Sequence, residues 1–474
     1  VNMVSFILPG NSATGGYEVA NSVRLNNADN AYFSQTPSAS SGTTFTYSMW
    51  IKRGRIGLNG YLIRMVAADN SESDLVIESD KIRIQEYEGT SGTNKWKYIT
   101  NRLFRDASAW YHIMYVVDTN NGTASDRVQL YINGVRETSF STATNPSSGA
   151  TSALSKGEAR TFGGKASAGS FDGYMAECVY VDGTAKSTTD FGEFDEDSPT
   201  IWKPIDVSSM SLGSTGWYLD FEDSSSLGND ASGSNNWTSN NLAAIDQTTD
   251  TCTNNFATWN PLVGSNAGGS TEYYPTLEDG NTKATPGNAA QNSIAVSTIG
   301  VSSGKWYAEF ILISESDSGA DSSIGVTDDL SAFQTENVQT SSQVLYSDSG
   351  SVHNRASSSS SGTSFSTGDI IGVALDLDND NIYFSKNGTF INSGAPTSGA
   401  TGTGAYSLGS GTNEYFFMVG DSRTGGSSVF RANFGNPSAS ISSGNSDSKG
   451  HGNFEYAVPS GYFALCTKNL AEFG

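Results

Sequence analysis

The feature that most constrains this chain is an apolar period of two that runs into turn residues before it can lengthen. In WYHIMYVVD, Trp110, His112, Met114 and Val116 fall on one face, and Tyr111, Ile113, Tyr115 and Val117 on the other. Both faces are apolar, as in a central strand covered on both sides. VQLYINGVRE follows, with Asn133-Gly134 between Ile132 and Val135, the strongest short-range hairpin signal. FDGYMAECVYVDG (Phe171 to Gly183), GKWYAEFILIS (Gly304 to Ser314) and SIGVTDD (Ser323 to Asp329) repeat the style. So do GDIIGVALDLD, NEYFFMVGD (Asn413 to Asp421) and VFRANFG (Val429 to Gly435). No apolar run at helical spacing exceeds two turns, so the expected class is all-β.

Composition agrees. The chain has 474 residues, too many for one ordinary core, which points to two sizeable domains. Charged residues make up only 16%, against roughly 25% in ordinary globular domains. The polar surface is therefore built from Ser, Thr, Asn and Gly, which suits many short strands joined by tight turns. The net charge of −23 repels phosphate backbones and anionic lipid surfaces, so no nucleic-acid partner is expected. No apolar run approaches the roughly 18 residues of a membrane span, so no membrane insertion is expected. The opening VNMVSFILPG lacks a basic stretch and a clear cleavage site, so no secretory signal is expected. Cys178, Cys252 and Cys466 lie far apart without a CxxC pair, which argues against both a zinc site and a disulfide framework.

The first half resembles laminin-G/pentraxin-type domains of the concanavalin A-like class. The likeness rests on FTYSMWIKRG, FRDASAWYHIMYVVDTNNGTASDRVQLYINGVRE and FDGYMAECVYVDG. The second half resembles a SPRY domain through GKWYAEFIL, IGVTDD and GDIIGVALDLDNDNIYFSKNGTF. Their pairing, with LGNDASGSNNWTSNN and YAVPSGYFALCTKNL, resembles structural proteins of tailed bacteriophages. The resemblance implies two antiparallel β-sandwich (jelly-roll) domains, at 16–185 and 283–460. An arm precedes them at 1–15, a tail follows at 461–474, and an aromatic-rich connector spans 186–282. Trp202, Trp217, Trp237 and Trp259 in that connector need burial, so it is expected to be ordered.

Three kinds of site deserve weighing. DLDNDN sets Asp376, Asp378 and Asp380 at alternate positions, but a calcium loop from Asp376 would need Gly and Glu where Asn381 and Asn387 stand. A plain turn is expected. The loop DTNNGTASD offers Asp118, Asn120 and Asp126 as oxygen donors for calcium, which several laminin-G-like domains hold at the sandwich rim. Its alternative is a solvated turn. A glycosidase of this class would need two carboxylates about 5 Å apart. EFDEDS has Glu193 and Asp195, but Ser198 where the second Glu belongs, and the Asp220 and Glu222 pair sits in the connector. No enzyme is therefore expected, and His112 reads as a core histidine.

Aromatic rings beside Asn, Asp and Arg are the chemistry of sugar binding. Tyr87, Asn94 and Trp96 in the first domain, and Tyr346, His353, Asn354 and Arg355 in the second, are the candidate ligand contacts. Core packing is their alternative. The expected role is a non-enzymatic virion surface protein of a bacteriophage, a tail fibre or adhesin component recognising host cell-surface glycan. The rival is a capsid or tail decoration protein binding chiefly other virion proteins, with a polysaccharide-degrading enzyme a distant third. A homo-oligomer is expected, a trimer first.

Overall fold

The computed structural model describes residues 16–165, 169–264, 273–286, 293–315, 322–330, 342–355, 357–409, 413–421 and 428–474. The expected arm, 1–15, lies outside them. The chain forms two compact units, one holding the described residues up to Asn255 and the other those from Phe256 to Gly474. Each is an antiparallel sandwich of two sheets, as the period of two implies.

In the first unit one sheet orders Val135–Arg136, Val128–Ile132, Trp110–Asp118, Thr44–Arg53, Gly173–Asp182, Ser22–Leu25 and Gln247–Thr248, with Trp217–Leu219 joined to Gly173–Asp182. The facing sheet runs Phe140–Thr144, Thr93–Thr100, Lys81–Glu88, Glu72–Glu78, Gly60–Val66, Arg160–Phe162, Tyr32–Gln35 and Thr238–Asn240. Phe45, Tyr47, Met49 and Ile51 alternate inward to meet Ile63, Leu75, Ile84 and Trp96 in the core.

The outward face of the first sheet is covered too. Trp50, Trp110 and Tyr174 pack under Trp202 and Cys252, while Met114, Val116 and Val179 pack under Phe191, Val207 and Leu212. That second layer explains why WYHIMYVVD is apolar on both faces. His112 lies within it, fully buried. Trp202 Nε1 donates to its Nδ1 at 3.1 Å, so Nε2 carries the proton and donates to Ser48 Oγ at 2.8 Å. Burial pushes its pKa down to about 3, so the ring is neutral. At the Asn133-Gly134 turn both residues take positive φ, 49° and 76°. A Cβ on Gly134 would lie 2.3 Å from the Trp202 ring, so the tight turn and the layer above it require the same glycine.

The stretch 186–282 is therefore not a separate connector. Up to Asn255 it roofs and extends the first sandwich, with Trp217 and Trp237 in its main core. From Phe256 it belongs to the second unit, where Trp259 is fully buried.

The second unit has one sheet of Thr276–Glu278, Lys283–Thr285, Val429–Asn433, Lys305–Ser314, Ile370–Asp376, Asn381–Lys386 and Thr389–Phe390, with Tyr406–Ser407 beside Asn381–Lys386. The other runs Ser293–Val301, Tyr415–Asp421, Ser322–Thr327, Gln343–Ser347, Ser351–Asn354 and Ser357–Ser360. Its last strand is four exposed serines. The expected tail is built into this unit as well. Phe463–Ala464 pairs in parallel with Trp306 and Tyr307, and Thr467–Phe473 is the one α-helix among the described residues.

The DLDNDN segment is a hairpin turn. Asp376 and Asn381 close it as a pair, and Asp380 turns the corner at φ 54°. Asp376 Oδ2 takes Lys305 Nζ at 2.9 Å, and Asp378 Oδ1 accepts the Gly304 amide at 3.1 Å. These carboxylates fasten strand ends.

Candidate functional site at the edge of the first sandwich

Where the two sheets of the first unit end, their edge strands part to leave a cleft of about 420 Å3. Phe140–Thr144 borders it from one sheet, and Val128–Ile132 with Val135–Arg136 from the other. Its floor is apolar because inward-facing side chains at a sandwich edge have no opposite number to cover them. Ile84, Tyr98, Val128 and Leu130 supply it, and Phe140 stands half-exposed above. The Tyr98 and Phe140 rings meet edge to face with centroids 5.3 Å apart. This volume falls within the roughly 300–1,000 Å3 of small-molecule sites.

Polar groups ring that floor. Tyr98 Oη donates to Asn145 Oδ1, whose side chain is exposed. Burial pushes the Tyr98 pKa up to about 12, so the phenol keeps its proton at neutral pH. Arg136 donates to Asp126 Oδ1 at 2.7 Å and to the Ser125 carbonyl at 2.8 Å. Gln129 Nε2 donates to the Asp126 carbonyl at 2.9 Å. Glu137 Oε1 accepts the Thr138 and Ser139 amides, and its Oε2 meets Arg102 Nε at 2.9 Å. An exposed ring edge beside amide, guanidinium and carboxylate groups can pack a sugar face and exchange hydrogen bonds with its hydroxyls.

The sequence candidates fare unequally. Asp126 lies in this cleft as the partner of Arg136. Asp118 Oδ1 accepts the Asn120 amide at 3.2 Å, closing a turn, and Asn120 is exposed. Of these candidate oxygen donors, Asp118 is thus engaged by its own turn and Asp126 by a guanidinium. Among the described residues no group of three or more His, Cys, Asp or Glu could hold a metal.

Trp96 is not a sugar platform. It is fully buried, with Nε1 donating to Tyr115 Oη at 3.0 Å. Tyr87 and Asn94 do face each other across paired strands, half-buried and exposed respectively. Tyr346 is fully buried against Phe365 and Phe384, its hydroxyl on the Thr363 carbonyl at 2.7 Å. Arg355 binds Asp328 at 2.9 Å, Tyr415 Oη at 3.0 Å and the Leu408 carbonyl, so it pins loops together. His353 and Asn354 are half-buried on the Ser351–Asn354 strand, His353 opposite Leu345. Burial lowers the His353 pKa.

The carboxylate pairs are held in local contacts. Glu193 and Asp195 share Lys203, at 3.3 and 3.5 Å, on a two-stranded hairpin. Asp220 Oδ1 accepts the Glu222 amide at 3.1 Å. In the cleft itself, Asp126 and Glu137 are each committed to an arginine.

Tyr98, Phe140, Arg136 and Asn145 escaped the sequence reading. NKWKYIT held a usable signal for Tyr98, since Lys95 and Lys97 alternate with Trp96 and Tyr98 and must face water. That the Phe140 edge would meet the Arg136 edge across two sheets had no local signal.

Residues 25–189 match the model of the concanavalin A-like lectin/glucanases superfamily. Residues 305–406 match the SPRY domain model. Among solved structures the chain is similar to the SPRY domain of human HERC1, at 20% identity over 33% of this chain and 91% of that one, TM-score 0.26. It is similar to a heptameric SAP-like pentraxin from Limulus polyphemus, at 14% identity over 36% and 81%, TM-score 0.27. A candidate carbohydrate-binding protein from Bacteroides ovatus matches at 18% identity over 47% and 59%, TM-score 0.33. Comparison with curated proteins finds no match.

Proposed function

We propose that this chain is a non-enzymatic, carbohydrate-binding surface protein whose first sandwich takes a neutral oligosaccharide at its open edge. The observation that carries the reading is the cleft itself: a half-exposed Phe140 ring and convergent Asn145, Arg136 and Asp126 groups on a lectin-type domain. The net charge of −23 favours a neutral glycan over a sulfated or sialylated one. Binding needs no calcium, because the cleft's carboxylates already have cationic partners. It proceeds without hydrolysis, because neither cleft carboxylate is left to act as a general acid.

The setting of this proposal is the surface of a tailed-bacteriophage virion, as a homo-oligomeric tail fibre or adhesin component that meets host glycan. Its support is the pairing of a laminin-G-type with a SPRY-type domain and the segments LGNDASGSNNWTSNN and YAVPSGYFALCTKNL.

The test is binding of the purified full chain to an array of neutral bacterial-surface oligosaccharides, with and without chelator. Phe140→Ala is expected to lower affinity at least about tenfold, the loss of one stacking contact with its buried area, while thermal melting falls only slightly through the lost Tyr98 contact. Glycan binding that survives Phe140→Ala would move the site away from this cleft, and saturable binding only to particles stripped of this protein would replace the glycan reading with an assembly role.

A further inference from the structure

Beneath the roof of the first sandwich, the Thr44–Arg53 strand carries a lysine that water cannot reach. Lys52 is 0% exposed, as is Asp250, and Asn255 is 3% exposed. Lys52 Nζ donates to Asp250 Oδ2 at 2.8 Å and to Asn255 Oδ1 at 2.7 Å. Trp110 Nε1 donates to the other Asp250 oxygen at 3.2 Å. Asn255 Nδ2 donates to the Ser108 carbonyl, which fixes the amide with its oxygen toward the amine. The Tyr174 ring lies 5.4 Å from Nζ, and Trp50, Trp110 and Cys252 belong to the same packed cluster.

An ion pair this enclosed is costly to keep charged. Desolvation draws the Lys52 pKa below the ordinary lysine value, against the opposing pull of Asp250. Passing one proton from ammonium to carboxylate removes both charges from the dry interior and leaves a nucleophilic amine. With Nζ 2.7 Å from Oδ1, the carboxamide carbon of Asn255, one C=O bond further on, lies about 3–4 Å from Nζ.

We propose that Lys52 and Asn255 become joined by a spontaneous intramolecular isopeptide bond, with Asp250 relaying the protons. A bond forms between Lys52 Nζ and Asn255 Cγ, the Cγ–Nδ2 bond breaks, and the nitrogen departs as ammonia. Of the three ammonium protons, one stays on the new amide, one completes the ammonia and one remains on Asp250. Charge is conserved, since the cation and the anion vanish together. The step needs no oxidant, metal or further reactant. It ties a strand near the start of the first unit to the unit's last residue, a staple that Cys178 and Cys252, both buried free thiols, do not provide.

The test is the intact mass of the purified wild-type chain. It is expected to fall below the sequence mass by one ammonia, and digestion is expected to release a branched peptide linking the segments around Lys52 and Asn255. In Asp250→Ala the branched peptide is expected to disappear and the full mass to return. Wild-type protein at its full sequence mass, or an ammonia loss that maps elsewhere, overturns the proposal without any variant having to fold. A soluble Asp250→Ala chain that is still linked to the same extent overturns the relay.

Discussion

Lys52, Asp250 and Asn255 have a counterpart in the second unit, built from the same three residue types. There Lys305 Nζ meets Asp376 Oδ2 at 2.9 Å, and Asn379 Nδ2 donates to both Asp376 oxygens at 3.0 and 2.9 Å. Two differences separate the sets. The Lys305 side chain is 23% exposed, so its ammonium keeps part of its hydration, whereas Lys52 keeps none. Asn379 also turns its donor nitrogen to the carboxylate, whereas Asn255 turns its acceptor oxygen to the amine. One set is a hairpin fastening at the surface. The other is a closed chamber in which the same groups are positioned to react. Residue type alone decides neither outcome; the roof over Lys52 does.

The largest effect separating the two should come from removing each lysine. Lys52→Met takes away both the link to Asn255 and the nitrogen that satisfies buried Asp250, and is expected to cost at least about 3 kcal/mol. Lys305→Met, where Asn379 still hydrogen-bonds both oxygens of buried Asp376, is expected to cost less, about 1–2 kcal/mol. Denaturant melting followed by tryptophan fluorescence reads the first change well, since Trp50, Trp96, Trp110, Trp202, Trp217 and Trp237 all lie in the first unit. Equal losses for the two lysines would erase the distinction.

A comparable contrast holds between enclosed and open rings. Trp96→Ala is expected to destabilise the first unit by about 3–5 kcal/mol through the cavity it leaves, while Tyr87→Ala costs less than about 1 kcal/mol. If Trp96→Ala instead kept full stability and lost only ligand, the core assignment would fail.

The third prediction concerns pH. Glu86 is buried beside Ser152 and Ala153, and desolvation raises its pKa from 4.5 to about 7. Between those values the native state holds a proton that the unfolded chain has released, so stability falls as pH rises from about 4.5 to about 7. Above that window the loss is complete. Glu86→Gln is expected to flatten the slope measured by melting at successive pH values. An unchanged slope would assign it to Asp74 and Glu177, which burial also raises, to about 7 and about 8.

The smallest effect is expected at the turn. Asp378→Ala removes one bond to the Gly304 amide and should change stability by no more than about 0.5 kcal/mol. Added calcium should leave the melting of both wild type and variant unmoved.

Much of this architecture was legible because a period of two is a local property. Trp110–Asp118, Gly173–Asp182, Lys305–Ser314 and the Asn133-Gly134 turn could each be read from a dozen residues or fewer. The same rule, applied to NKWKYIT, would also have turned Trp96 inward, since its neighbours Lys95 and Lys97 need water. What stayed hidden depends on pairings remote in sequence. Tyr98 meets Asn145 across 47 positions, and Lys52 meets Asn255 across 203. The span 186–255 looked like a connector because its strands are only two or three residues long, too short to show alternation. Its tryptophans were the signal that it had a surface to cover.

The strand Ser357–Ser360 at the rim of the second unit has a consequence for crowding. Its outer backbone groups offer an approaching chain a ladder to extend, yet its four hydroxyls give that chain nothing oily to grip. Water competes for such a ladder on equal terms. Many copies could crowd shoulder to shoulder without zipping into fibrils.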